Sequence, residues 1–209
     1  MWAEPTLPAA IKKVLSGKEG DNVFVVDLWA EISTKKNDDS EVNRALERLK
    51  LLNESRYYFR FSIFQGKKRE YNNALESAYE SLKGDNRPPF KYRAHLVYCL
   101  IKTNGLDDAR LEMDKIDKDF GRVQSDIRLS LRCKLENKAG QYREALRLSE
   151  NIIRKDDIYY KKIRKDAIEG ELKASALTDT ERISLSAELS RLNTALTGYE
   201  NLADELPLD

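Results

Sequence analysis

The stretch Lys138-Ala-Gly-Gln-Tyr-Arg-Glu-Ala-Leu146 contains the clearest of three similar motifs in this chain of 209 residues. Its Tyr142-Arg-Glu-Ala145 is similar to Leu106-Asp-Asp-Ala109 and to Tyr71-Asn-Asn-Ala74, and the three alanines are 35 and 36 residues apart. Periods of about 20 to 50 residues are typical of repeat proteins, in which each unit buries its apolar face against a neighbour. The motifs therefore predict a mainly all-α array of helical hairpins.

Apolar residues at helical spacing extend from this stretch in both directions. From residue 67 onward they predict seven helices, separated by turns that contain Gly, Asn or Pro, at residues 69–83, 90–103, 106–119, 125–138, 141–154, 158–176 and 178–206. Thr178 and Glu181 have the spacing of a capping box at the start of the last helix. The repeated alanine predicts a close helix crossing, because helices about 8 to 10 Å apart need a small side chain at the contact. We expect the aromatic or leucine residue three positions earlier to wedge into the paired helix.

The stretch at residues 138–146 resembles the turn and the second-helix start of a tetratricopeptide repeat. The resemblance covers residues 67–175, with Cys133 near the family's small-residue position and no proline in Lys155-Asp-Asp-Ile158. It implies a right-handed α-solenoid of about three or four hairpins with a concave binding face. The helix at 178–206 is expected to cap the open end of the array or to form a homodimer contact.

The first 66 residues have a different pattern. They predict a short helix at 8–15, helical spacing at 22–32 with residues 23–26 open to either a helix or a strand, and a helix with a clean apolar stripe at 41–52. Residues 56–64 are dense in aromatic and β-branched side chains, which favours an extended segment. The alternative makes residues 56–65 the first helix of another hairpin, which ends at Gly66 and pairs with the helix that follows.

Three helices followed by an extended segment resemble a winged-helix domain, with residues 41–52 as the third helix and 57–64 as the wing. We therefore expect a winged-helix-like unit at 1–66 and tetratricopeptide-like repeats with a capping helix at 67–209. This order resembles the C-terminal half of multidomain signalling ATPases and of certain bacterial transcription regulators. The resemblance implies a module that belongs to a larger assembly.

Composition narrows the function classes. The 37 basic and 36 acidic residues nearly cancel, so no global field favours nucleic acid or anionic membranes. No apolar run approaches the roughly 20 residues that span a bilayer, and no signal peptide is visible, so we expect a soluble cytoplasmic protein. Cys99 and Cys133 lie in apolar helical patterns and are predicted to be buried free thiols.

Motifs for chemistry are missing from the sequence. Neither Gly17-Lys-Glu-Gly20 nor Gly66-Lys-Lys-Arg69 fits a phosphate-binding loop. His95 is the only histidine, and although Cys99 follows it by one helical turn, a lone pair of this kind is more often a packing feature than a zinc site. We predict no metal, no cofactor and no catalytic activity.

The sequence instead predicts a protein-protein interaction or scaffolding module. Aromatic and arginine side chains supply most of the energy of interfaces, and the candidate partner-binding residues are Tyr92, Tyr159, Tyr160, Lys161 and Arg164. Tyr159 and Tyr160 are expected to be partly exposed, because Ile158 and Ile163 account for the apolar face at the start of that helix. The protein partner itself is not indicated.

The alternative function is a DNA-binding transcription regulator with the repeats as a sensor or partner-binding domain. Its contacts would come from the third helix and the wing, through Asn43, Arg44, Arg48, Lys50 and Arg60. Residues 1–66 contain ten basic and ten acidic side chains, whereas phosphate binding favours an uncompensated basic stripe. A packing role is therefore preferred for this unit.

Overall fold

A computed structural model describes residues 22–121, 125–155, 157–174 and 176–199. Within these ranges the chain forms ten helices and no strand, so the fold is mainly all-α as predicted. The helices are α1 (Val23–Lys35), α2 (Asp39–Leu52), α3 (Glu54–Lys67), α4 (Tyr71–Leu82), α5 (Phe90–Lys102), α6 (Leu106–Phe120), α7 (Ser125–Lys138), α8 (Tyr142–Ser149), α9 (Ile158–Ala174) and α10 (Asp179–Ala195).

The seven helices predicted from residue 67 onward correspond to α4 to α10. α8 is shorter than predicted and ends at Ser149, while the part of the prediction beyond residue 199 lies outside the described residues. The capping box is confirmed, because the Thr178 hydroxyl and the Glu181 carboxylate each accept the other residue's backbone N–H. Gly140, with φ of 75°, adopts the left-handed conformation that the tight turn between α7 and α8 requires.

The prediction of an extended segment at residues 56–64, with the wing at 57–64, is wrong, because these residues lie inside α3. The Asn53 side chain accepts a hydrogen bond from the backbone N–H of Arg56 at 2.9 Å and so starts the helix. Tyr57 stacks on Phe61 one turn later, with ring centroids 5.5 Å apart. The structure shows the alternative, in which residues 56–65 belong to the first helix of a hairpin, since α3 is a helix that packs against α4.

Residues 23–26, for which the sequence left helix and strand open, belong to helix α1, as do the other residues up to Ile32. The Asn22 side chain caps this helix by accepting the backbone N–H of Phe24 at 2.9 Å. The helix predicted at 8–15 lies outside the described residues. The winged-helix resemblance therefore loses the extended segment on which it depended.

The chain divides into two compact units, Met1–Pro88 and Pro89–Asp209. In the first unit α1 packs against α2 and α3, and α3 packs against α4. The boundary predicted after residue 66 falls within the last turn of α3, whereas the structure divides the chain after Pro88.

The second unit contains three helical hairpins, α5–α6, α7–α8 and α9–α10. The first helix of each hairpin contacts the first helix of the next, so that α5 packs on α7 and α7 on α9. The second helix of each hairpin also contacts the first helix of the next, through α6 on α7 and α8 on α9. This order of contacts is the one expected of helical repeats.

The repeated alanines lie at helix crossings, as the sequence predicts. All three are fully buried, and so are the residues twelve positions before them on the paired helices: Ser62, Val97 and Cys133. The Ser62 hydroxyl donates to the Ala74 carbonyl at 2.5 Å, and the Cys133 thiol donates to the Ala145 carbonyl at 3.5 Å. These contacts bring the two helix backbones close together in the pairs α3–α4 and α7–α8.

Tyr142 of the clearest motif contacts the following hairpin. Its ring lies against Gly170 of α9, where an added Cβ atom would be 2.1 Å from the Tyr142 Cδ1 atom. The sequence predicted a wedge within one hairpin, whereas this contact joins two successive hairpins. Gly170 leaves the space that the ring occupies.

Candidate functional site

Three of the five predicted partner-binding residues line one cavity in the second unit. Tyr160, Lys161 and Arg164, all from α9, face a cavity of about 240 Å³. The remaining lining residues come from the end of α8, the loop after it and α10: Ser149, Glu150, Ile152, Lys155, Glu188 and Leu192. The cavity therefore lies where the last two hairpins of this unit meet.

The loop between α8 and α9 is held in place by Asp126 near the start of α7. The Asp126 carboxylate accepts the backbone N–H groups of Ile153 at 3.0 Å and Arg154 at 3.1 Å. These two residues lie between Ile152 and Lys155, which line the cavity. The carboxylate thus positions the loop side of the site.

Arg164 connects the three helices around the cavity. Its Nε donates to Glu188 Oε1 at 2.5 Å and its Nη2 donates to Glu188 Oε2 at 3.1 Å, while its Nη1 donates to Ser149 Oγ at 2.7 Å. The hydrogen bonds and negative charge of Glu188 raise the pKa of the Arg164 guanidinium, against the lowering effect of burial. Arg164 is therefore a charged structural link between α8, α9 and α10.

The base of the cavity is apolar. Tyr160 is 4% exposed and packs with Cys133, Ile152 and Ile163 in one buried cluster, so the prediction that Tyr160 is partly exposed is wrong. Burial raises the pKa of the Tyr160 hydroxyl, and the nearby Asp126 and Asp157 carboxylates add to that shift. The cluster forms because α7, the α8–α9 loop and α9 each contribute one side.

Tyr159 is half-buried, as expected, and packs against the buried cluster that contains Tyr160 and Ile152. Its ring meets that of Tyr160 edge to face, with centroids 5.3 Å apart, and the Lys134 ammonium lies 4.8 Å from the Tyr159 ring centroid. The structure places Tyr92 elsewhere, because this α5 residue is only 5% exposed and does not line the cavity. Tyr92 is a core residue of its hairpin.

The residues proposed for DNA contact divide into exposed and buried sets. Asn43, Arg44 and Lys50 are exposed on α2, and Arg48 is half-buried there. The Arg44 guanidinium pairs with Glu41 at 2.8 Å and lies 5.8 Å from the centroid of the Trp29 ring. Binding to DNA stays a prediction for this face.

The prediction that Arg60 projects from a wing is wrong. Arg60 is 7% exposed, and its Nε and Nη2 donate to the Asp27 carboxylate at 2.7 and 3.0 Å. Nη2 also donates to Glu31 at 2.6 Å. Burial lowers the pKa of Arg60, but the hydrogen bonds and charges of Asp27 and Glu31 outweigh that effect and raise it. Arg60 therefore joins α1 to α3.

The two cysteines are buried free thiols, as predicted. Cys99 Sγ lies 3.5 Å from His95 Nε2 on the same helix. Over the described ranges, no three His, Cys, Asp or Glu side chains come together in a way that could hold a metal ion. Burial raises the pKa of the Cys133 thiol to about 12.

Six lining residues of the cavity were missed by sequence reasoning. Lys155 could have been found, because it belongs to the same basic run as Lys161 and Arg164. Glu188 could not, since its role depends on a contact with Arg164 that bridges 24 positions of sequence. Pairing of this kind becomes visible only when the hairpins are packed.

No family model matches the chain, and no curated protein matches it. Membership of the tetratricopeptide family therefore stays a prediction from the motif at residues 138–146. No helix within the described part of the chain is both long and apolar enough to cross a membrane.

Proposed function

We propose that the protein is a non-catalytic protein-interaction module. In this proposal it belongs to a larger signalling assembly, as a fragment or a subunit of it. Its hairpins form a right-handed, tetratricopeptide-like array in this proposal. The observation that carries it is the repeated contact of each first helix in the second unit with the first helix of the next hairpin. Arrays of this kind present extended surfaces, which such proteins use to bind partners.

The cavity at the last hairpin supports a binding role. It combines a buried aromatic ring, Tyr160, with charged residues at its edge, such as Lys161 and Glu150. Interfaces are strongest where aromatic and arginine side chains form a water-excluded centre, with polar residues around it. We therefore propose that partners bind at the face formed by α9 and the α8–α9 loop.

The proposed function is tested by recovering partners from the source cells with a tagged full chain, after chemical cross-linking and mass spectrometry. We compare the Tyr159→Ala, Lys161→Ala variant with a matched control at exposed positions that do not line the cavity, Tyr79→Ala, Lys118→Ala. Tyr160 is left unchanged because it is a core residue.

The proposal predicts a specific partner that the control variant retains and the site variant loses, while both variants keep the helical circular dichroism of the wild type. Recovery of the same partners by both variants would place binding elsewhere. A chain that recovers no protein would contradict the proposed function.

A further inference from the structure

We propose that the cavity between α8, α9 and α10 binds an acidic, leucine-bearing segment from within a partner protein. A leucine side chain of the segment enters the cavity, and its carboxylates contact Lys155 and Lys161. This inference rests on the proposed function and names the chemistry of the partner.

The size and base of the cavity favour one aliphatic side chain. A volume of about 240 Å³ is smaller than the roughly 300 to 1,000 Å³ of pockets that hold drug-sized ligands. Ile152 and Tyr160, which are 2% and 4% exposed, form a buried apolar base, and Leu192 lines the α10 side. A branched aliphatic side chain would bury its own apolar surface against these side chains and cover the exposed part of Leu192, which is favourable in proportion to the apolar area buried.

The charges around the cavity favour an acidic segment. Glu188 is already paired with Arg164, so that among the other lining residues two lysines, Lys155 and Lys161, face one acid, Glu150. Residues 154–165 as a whole contain six basic and two acidic side chains, and two of the basic ones, Arg164 and Lys165, are paired with Glu188 and Glu169. Charge complementarity of this kind guides association and sets specificity.

The α10 side of the cavity can adapt to a ligand. No residue of Asp179–Ala195 is buried, and elements with little buried surface open at low free-energy cost. Glu188 is 35% exposed in its side chain and accepts both hydrogen bonds of the Arg164 pair. A carboxylate of the bound segment therefore competes with Glu188 for Arg164.

Residues 200–209 of the chain have the same chemistry as the proposed ligand. They contain four acidic and no basic residues, together with three leucines. Occupation of the cavity by these residues instead of a partner is thus a distinct outcome, and the experiment separates the two.

The probe is a fluorescein-labelled peptide, Asp-Glu-Leu-Asp-Glu-Leu-Asp, with an amidated C-terminus, and binding to the full chain is measured by fluorescence anisotropy at low salt. Two control peptides replace the carboxylates by amides or the leucines by alanines. The Lys155→Glu, Lys161→Glu variant is compared with Lys118→Glu, Lys138→Glu, which reverses two exposed charges in the same unit outside the cavity.

We expect the Kd of the acidic peptide to rise at least ~10-fold in the cavity variant and to change less than ~2-fold in the control variant. Glu188→Gln should lower the Kd by roughly 2- to 5-fold, because it removes the internal competitor for Arg164. Both control peptides should bind at least ~10-fold more weakly than the acidic peptide, and added salt should weaken binding.

Equal binding of the amide peptide, or no loss in the cavity variant, would overturn the inference. If Asp204→Asn, Glu205→Gln in the full chain strengthened binding by more than ~10-fold, residues 200–209 would be the occupant, which also overturns it. Partners that depend on Tyr159 and Lys161 in cells, with no peptide binding in solution, would leave the proposed function standing and remove only this inference.

Discussion

Two hairpins of the second unit, α5–α6 and α9–α10, are built alike but are buried to very different extents. Eleven of the 13 residues of α5 are buried, and α6 buries Ala109, Glu112, Met113 and Ile116. α9 buries five residues, whereas α10 buries none along its 17 residues. One repeat topology therefore supports both a well-buried hairpin and a weakly buried one, and the candidate site lies at the weakly buried one, which we expect to be the more adaptable.

The ion pairs of the two hairpins show the same contrast. Arg93 of α5 donates to Glu112 of α6 at 2.6 Å, with only 10% and 9% of the two side chains exposed. The Arg164–Glu188 pair joins α9 to α10 at 2.5 Å, with 24% and 35% exposed. Water therefore screens the second pair more strongly, and the link it makes is weaker.

Matched isoleucine truncations should give the largest difference between the hairpins. Ile116→Ala in α6 removes a fully buried side chain and should lower the free energy of unfolding by about 2–5 kcal/mol. Ile183→Ala in α10 removes a side chain that is 70% exposed, and the change should stay within about 0.5 kcal/mol. Urea unfolding of both variants measures the two values, and equal losses would mean that α10 is held as firmly as α6.

A substitution at Gly170 tests how α9 itself is held. Gly170→Ala places a Cβ atom 2.1 Å from the Tyr142 ring. We expect this substitution to lower the free energy of unfolding by about 1–3 kcal/mol, because the ring or the helix must move. The control is Gly66→Ala in α3, where no atom lies within 4 Å and where better helix propensity should add up to about 1 kcal/mol.

Thermal unfolding of these glycine variants and of Gly170→Ala, Tyr142→Ala should show that removing the ring relieves most of the strain. A Gly170→Ala protein as stable as the Gly66→Ala protein would contradict the contact between α8 and α9.

Removal of one carboxylate from each ion pair compares the two links directly. Glu112→Gln leaves the buried Arg93 with one charged partner fewer. This substitution should lower the free energy of unfolding by about 1–3 kcal/mol. Glu188→Gln acts on the more exposed pair, and its cost should stay below about 1 kcal/mol. Denaturant titrations at low salt measure the free energy of unfolding of both variants. A larger loss for Glu188→Gln than for Glu112→Gln would contradict our view that the α5–α6 ion pair is the stronger link.

The pH dependence of stability reports on the packing of α9 over Cys133. The thiol ionises near its ordinary pKa of 9.0 in the unfolded chain but only at about 12 when folded. Stability from this group is fully present below pH 9.0 and falls as the pH rises toward 12, by at most about 1.4 kcal/mol per pH unit. The wild type should therefore lose stability more steeply above pH 9.0 than Cys133→Ala, and identical slopes would show that Cys133 is not shielded.

The sequence predicted the helices of the repeat region because apolar spacing and turn residues agree there. It failed at α3 because aromatic and β-branched residues favour strands locally, while packing on α4 decides the outcome. Three signals could have corrected this prediction. Two are the cap at Asn53 and the spacing of Tyr57, Phe61 and Phe64 along one helix face. The third is Ser62 of α3, which precedes a repeated alanine by twelve positions, as the paired-helix residues of the other two motifs do.

The candidate site was only partly predictable. Lys161 and Arg164 were among the predicted partner-binding residues, and they lie in a segment dense in basic residues that is visible in sequence. The burial of Tyr160 was not, because Cys133 of α7 and Ile152 of the preceding loop cover its ring. Ser149 and Glu188 were missed for the same reason, since both become part of the site through Arg164.

The most direct test of an adaptable binding end is native-state hydrogen exchange of the full chain, followed by mass spectrometry of peptides from α6 and α10. We predict that amides of Asp179–Ala195 exchange at least ~10-fold faster than those of Leu106–Phe120. We also predict that the acidic leucine peptide slows the exchange of α10 selectively. Equal protection of α6 and α10 in the free protein, with no change in α10 when the peptide is added, would contradict this account.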